Sequence, residues 1–202
     1  MSPYATTLID CHFFSADSGF VTGGKDSVYP NSKAVVLFNS DGGESWVTRY
    51  SGTNVKEWGW KMSFPTKNFG YTSLENHGNP TAYFLKTTNG GVNWQQKVFL
   101  NRFYDEEGIG FINENTGWIG GWFERSYKTT NGGNNWLINA WGNFATGDNF
   151  NRFRKINDTL AYAVGLTVFK YSRDTLVGIN QISSEIPNGF DLKQNYPNPF
   201  NP

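Results

Sequence analysis

Three acids in a row, Asp105, Glu106 and Glu107, stand beside Tyr104 in the string NRFYDEEG, Asn101 to Gly108. A short distance on, Glu124 and Arg125 occur in GWFERS, and His77 lies in ENHGNP. Two carboxylates on either side of a glycosidic bond are the tools of sugar hydrolysis, one giving a proton and the other attacking or activating water. Asp105 and Glu124 are candidates for such a pair, whereas a run of acids is more often a solvated loop. Other chemistry is thinly supplied. The single cysteine, Cys11, excludes an internal disulfide and a cysteine-based zinc site. The only histidines, His12 and His77, have no helical metal-ligand spacing. No metal and no cofactor is expected.

Composition narrows the partners. Seventeen basic residues balance 17 acidic ones in 202. Such a neutral chain has no electrostatic footprint for nucleic acid. No run of 18 apolar residues exists to span a membrane. The amino-terminal string MSPYATTLIDCHFF lacks the basic segment and apolar core of a secretory signal.

The elements that must position these residues are announced by a repeat. KTTNGGVNW, Lys86 to Trp94, and KTTNGGNNW, Lys128 to Trp136, differ only at Val92 against Asn134. A looser copy, FNSDGGESW, runs from Phe38 to Trp46. Asp41, Asn89 and Asn131 are thus spaced by 48 and 42 residues. A second marker precedes each copy, with glycines at Gly19, Gly70 and Gly117, and decays to Ala161 in RKINDTLAYAVG. A period of this length means a solenoid, a propeller or an array.

Within the second unit the pattern predicts strands over Trp58–Phe64, Gly70–Leu74, Ala82–Thr87 and Trp94–Leu100. Four short strands in one unit is the geometry of a propeller blade. The repeated string then falls at the hairpin between the third and fourth strands. There Asp41, Asn89 and Asn131 can accept bonds from turn amides. Gly43, Gly91 and Gly133 supply positive φ. Thr87 and Thr129 bond back across the turn, and Trp46, Trp94 and Trp136 open strand four and pack between sheets. Every position has a structural job. The expected fold class is all-β, a propeller of four-stranded antiparallel blades. About three full blades and one degenerate blade are expected, as part of a larger propeller.

The boxed pattern resembles the Asp-box, or BNR repeat, of sialidases, other glycosidase propellers and photosystem II assembly factors. Here Asn89 and Asn131 stand for the family's Asp, and Asn39 for its leading Ser/Thr. Gly-Trp-Ile-Gly-Gly at 117–121 is similar to the second-strand signature of the photosystem-factor branch, and the resemblance spans about Ala5 to Ser172. In Asp-box enzymes it implies a substrate site on the face opposite the boxes. That face would carry the second turn of each blade and the crossovers, hence His77, Arg102, Tyr104, Trp122, Glu124 and Arg125 as binding residues.

A sialidase would further need an arginine triad, a Tyr-Glu nucleophile pair and an aspartate acid-base. Tyr104 with Glu106 or Glu107 imitates the nucleophile pair, and Asp105 and Glu124 complete the alternative catalytic set. The Arg-Ile-Pro tripeptide is absent, however, and the six arginines form no evident triad. The favoured reading is therefore a non-catalytic module for a protein or glycan ligand, with Trp122 and Trp141 as sugar-stacking candidates that packing between blades explains better.

Blades are expected over residues 1–178 and a polar linker over 179–188. Residues 189–202 hold LKQNYPNPFNP, which closely resembles the opening of the carboxy-terminal sorting domain of type IX secretion. That resemblance implies export machinery as a partner and an extracellular or outer-membrane surface location. It also makes this sequence the expected carboxy-terminal part of a larger secreted protein.

Overall fold

A computed structural model describes residues 4–28, 30–139 and 149–173, and these build a β-propeller arc of four antiparallel sheets. The first blade is β1 (Thr7–Phe13), β2 (Gly19–Lys25), β3 (Lys33–Asn39) and β4 (Val47–Ser51). The second is β5 (Glu57–Ser63), β6 (Gly70–Asn76), β7 (Ala82–Thr87) and β8 (Gln95–Leu100). The third is β9 (Glu106–Phe111), β10 (Gly117–Gly121), β11 (Tyr127–Thr129) and β12 (Leu137–Ile138). The fourth has three strands among the described residues, β13 (Arg152–Lys155), β14 (Leu160–Val164) and β15 (Val168–Ser172). Strands pair in sequence order within each sheet, so every connection inside a blade is a hairpin. The strands expected for the second unit agree with the observed ones to within two residues at each end. Trp141 and the expected linker and sorting segment lie outside the described residues.

The first strands line up from blade to blade, β1 against β5, β5 against β9 and β9 against β13. Apolar clusters fill the spaces between sheets. Phe20, Val36, Leu74, Leu85 and Trp94 pack between the first two blades. Tyr71, Phe84, Phe99, Ile109 and Phe111 pack between the next two. Trp118, Phe150, Ala161 and Ala163 join the third to the fourth. Strand burial follows from this stacking. Every residue of β6 and β9 is buried, as expected for strands covered on both faces. β15 alternates between exposed and half-buried, the signature of a strand covered on one.

The second marker now has a physical cause. Gly19, Gly70 and Gly117 each open the second strand of a blade, and each faces a phenylalanine six residues earlier. A Cβ on these glycines would lie 2.5, 2.4 and 2.5 Å from the rings of Phe13, Phe64 and Phe111. In the fourth blade the partner of Ala161 in the ladder is Lys155, not an aromatic ring. A methyl group is accommodated there because the ring that forbids it elsewhere is gone.

The repeated turns between third and fourth strands share one hydrogen-bond scheme. Thr87 Oγ1 accepts from the Gly91 amide at 2.9 Å and donates to Asn89 Oδ1 at 3.0 Å. Asn89 Oδ1 in turn accepts from the Asn93 amide at 3.0 Å. Thr129, Asn131, Gly133 and Asn135 repeat these contacts at 3.0, 3.0 and 2.9 Å. In the first blade Asn39 takes the threonine's place, accepting from the Gly43 amide at 2.9 Å and donating to Asp41. Asp41 Oδ1 accepts from the Ser45 amide at 3.0 Å. An amide therefore does the work of a hydroxyl. Trp94 and Trp136 precede the fourth strands rather than opening them, and Trp46 remains half-buried against Phe13 of its own blade at 6.5 Å.

Candidate functional site

The face opposite the repeated turns is built from the β6–β7 turn, the β8–β9 crossover and the β10–β11 turn. Asn76, the last residue of β6, organises the first of these. Its Oδ1 accepts from the Gly78 and Asn79 amides at 3.1 and 2.7 Å. The His77 amide donates to the Lys56 carbonyl at 2.9 Å, which ties the turn to the start of the same blade. Crossover and β10–β11 turn are then bound to each other. Arg102 holds Glu124 through two bonds of 3.2 Å each, a bidentate clamp. Tyr104 donates its hydroxyl to the Arg125 carbonyl at 2.7 Å. The Trp122 amide donates to the Asp105 carbonyl at 3.0 Å.

All the residues named from the sequence for this face are thus brought together, but in altered roles. Tyr104 is fully buried against Phe99 and Tyr127, and its hydroxyl is committed to a carbonyl. Burial, with Glu106 and Glu124 adding to it, raises its pKa well above 10, so it forms no ready phenolate. The acids are not a solvated loop. Glu106 and Glu107 belong to β9, and Glu106 is fully buried with its carboxylate accepting from the Leu74 amide at 3.1 Å. Burial pushes the Glu106 carboxyl far above the usual carboxylate range, the Leu74 amide drawing it only partly back. The Tyr104–Glu106 pair therefore cannot act as an exposed nucleophile. Trp122 departs from expectation in the other direction. It is 51% exposed, stacked edge-on against Phe123 at 5.0 Å, and does not pack between blades.

Three carboxylates and an imidazole gather behind this edge. Glu75 Oε1 faces His77 Nε2 at 3.4 Å. Asp105 brings a ligand atom within 4.8 Å of both. Glu107 sits nearby, accepting from Trp60 Nε1 at 3.0 Å and from the side-chain amide of Asn151. Burial raises the Asp105 carboxyl, with Glu75 adding to the rise and His77 opposing it. Burial likewise raises Glu107, against the pull of its Trp60 bond. His77 moves up, chiefly through its bond to Glu75. Glu75 and Asp105 are close enough to suggest a hydrolytic pair, but Glu75 is 6% exposed, out of reach of a sugar ring.

Glu75, Phe103 and Phe123 were not singled out from the sequence. Glu75 lay beyond the strand end expected at Leu74; the observed β6 runs on to Asn76, which places Glu75 two residues before His77 on the same side. On the other face, a cleft of about 470 Å³ is lined by Thr66, Asn113, Glu114, Lys155, Asp158 and Arg173. Its lysine is already paired with Asp158 at 2.6 Å.

No family model matches the chain, and no curated protein sequence matches it. Solved structures do. YCF48 bound to D1 peptide superposes with a TM-score of 0.59 at 20% identity, covering 86% of this chain and 53% of that one. YCF48 from Cyanidioschyzon merolae gives 0.58 at 12%, covering 85% and 52%. The GH74 xyloglucanase from Xanthomonas campestris gives 0.55 at 13%, covering 81% and 27%. The chain therefore spans about half the length of the YCF48 structures. What it shares with all three is the β-propeller.

Proposed function

We propose that the chain is a non-catalytic binding module that holds a protein segment against the aromatic edge of this face. The observation that carries the reading is the exposure of three rings on neighbouring connections: Phe103 at 45%, Trp122 at 51% and Phe123 at 66%. Aromatic side chains are enriched at the centres of protein interfaces, where they supply most of the binding energy. Phe123 is held at φ 54°, with its amide bonded to Asn149. A bulky residue in the left-handed region costs about 1–3 kcal/mol, a strain that accumulates at functional positions. The Arg102–Glu124 clamp fixes the same edge and adds a charged rim. YCF48 bound to D1 peptide, one of the similar propellers, supports a peptide rather than a small molecule as the kind of ligand.

A glycoside hydrolase is the second reading, favoured by the proximity of Glu75 to Asp105 and by the likeness to a xyloglucanase. The burial of Glu75, Tyr104 and Glu106 weighs against it. We read the three repeated turns as Asp-boxes, a reading their common hydrogen bonds support. The resemblance of residues 192–202 to a type IX sorting domain carries the proposal that the module works outside the cell or on its surface. Removing the complete sorting domain from the full-length protein should then strand it in the periplasm.

A display of random peptides against the purified chain tests the binding role. Selected peptides should lose at least tenfold in affinity for Trp122→Ala and Phe123→Ala, with melting unchanged. Binding of oligosaccharides alone would replace the protein ligand with a glycan. Turnover of aryl glycosides by the pure chain would overturn the non-catalytic reading.

A further inference from the structure

Behind the aromatic edge, Glu75, His77 and Asp105 converge from two blades. One potential ligand atom from each lies within 4.8 Å of the other two. The Glu75 side chain is only 8% exposed, and while its Oε1 faces His77, its Oε2 is buried without a hydrogen-bond partner. Asp105 Oδ1 is buried in the same condition. An orphaned buried acceptor is expensive, about 1–3 kcal/mol and more when charged, and folded proteins leave few of them. Two of them beside an imidazole call for one positive centre. Lys61 does not provide it: its ammonium lies over the Trp60 ring at 4.6 Å and acts on Glu75 only at longer range.

We infer that Glu75, His77 and Asp105 form a binding site for a divalent transition-metal ion of the Zn²⁺ type. The donor set decides the class. One imidazole and two carboxylates suit borderline ions, which bind nitrogen and oxygen at roughly 2.0–2.2 Å. Ca²⁺ takes about 6–8 oxygen ligands, more than three side chains here present. Bonds of that length place donors roughly 3–4 Å apart, so rotations of about an ångström at the side-chain ends close the present spacing around an ion. His77 and Asp105 are the partly exposed members of the trio, on the turn and crossover of the face that carries the aromatic rings. The site is also tied to that surface, because the Asp105 carbonyl holds the Trp122 amide. An ion that fixes Asp105 steadies the tryptophan.

The test is calorimetric titration of Zn²⁺ into the metal-free chain carrying Cys11→Ser, which removes an exposed thiol able to bind Zn²⁺ itself. One ion per chain is expected, with a melting temperature that climbs with Zn²⁺ concentration. His77→Ala, Asp105→Asn and the near-isosteric Glu75→Gln should each weaken binding at least tenfold. Glu114→Gln, on the opposite face, should leave it unchanged, and Lys61→Met should tighten it by removing a nearby positive charge. Asp105 is partly exposed and its amide variant near-isosteric, so Asp105→Asn, checked by its melting temperature, decides the matter if a buried substitution does not. A single site indifferent to both Asp105→Asn and His77→Ala would overturn the inference, as would weak non-stoichiometric uptake. Ca²⁺ or Mg²⁺ binding as tightly as Zn²⁺ would overturn the choice of metal class.

Discussion

The ring of Phe20 occupies the space that a side chain on Gly91 would need, since a Cβ there would lie 2.1 Å from the ring's Cζ. Gly91 belongs to the repeated turn of the second blade, Phe20 to β2 of the first. The next pair of blades repeats the arrangement: a Cβ on Gly133 would come within 2.6 Å of the Phe84 ring. Gly43, the equivalent in the first blade, has nothing within 4 Å. All three glycines have positive φ, at 77°, 84° and 98° for Gly91, Gly133 and Gly43. Gly91→Ala combines overpacking with backbone strain and should cost about 2–4 kcal/mol. Gly43→Ala carries the strain alone, about 1–2 kcal/mol. Urea unfolding of both variants separates the contributions, and equal losses would show that the Phe20 seat is not the cause.

Gly117 and Phe111 test the second marker. Phe111 is stacked on Tyr71 at 3.5 Å, so it has little freedom to retreat from a new methyl group. Gly117→Ala should destabilise by about 1–3 kcal/mol. Ala161→Gly, where Lys155 replaces the ring, should lose only about 0.5–1 kcal/mol through added chain entropy. Thermal melts of the two variants give the comparison directly.

Glu57 makes stability depend on pH. It is 1% exposed, and burial lifts its carboxyl to about 7, against the bonds donated by Asn54 and Gln96. Between pH 4.5 and 7 the folded chain binds more protons here than the unfolded chain. The Glu57 contribution is therefore fully present below pH 4.5 and lost as the pH rises through 7. It amounts to roughly 3 kcal/mol. Glu57→Gln, with the Gln96 amide turned to match, should flatten the stability profile over that window by about this amount. Denaturant midpoints at pH 4.5, 6 and 8 would reveal it.

Tyr104 distinguishes scaffold from catalyst. Tyr104→Phe strips the Arg125 carbonyl of its donor and should cost about 1–2 kcal/mol of stability. Neither form should turn over a fluorogenic sialoside. Turnover by the native chain that vanishes in the variant, without any change in melting, would assign the phenol to chemistry.

The propeller was legible because its signals are local. The turn Thr87–Asn89–Gly91 and its copy at 129–133 carry their own hydrogen-bond scheme, and glycines 19, 70 and 117 each mark a strand start. Asn39 in place of threonine was harder to interpret, because an amide reproduces the hydroxyl's bonds only once the turn geometry is known. The face was legible as a set of connections, since hairpin order alone dictates which turns share a side. Its chemistry was not. Whether Glu106 is solvated or enclosed depends on β6 lying across it, a contact between residues 32 apart in sequence. The exposure of Trp122 and the left-handed backbone of Phe123 beside it are announced by no propensity. Glu75 fell just past the strand end expected at Leu74, and its closeness to Asp105 arises only when two blades stack.

The direction of the Phe20–Gly91 and Phe84–Gly133 contacts bears on how the chain is made. In each, the later segment settles onto a ring supplied by the earlier one. A ribosome releases these segments in the same order. The first blade can thus wait, formed, as a template on which the second condenses, and the second does the same for the third. Each unit then presents, in order of synthesis, the ring on which its successor packs. A lesion at Phe20 should consequently harm everything synthesised after it, whereas one at Phe153, on β13, strikes when most of the arc already stands.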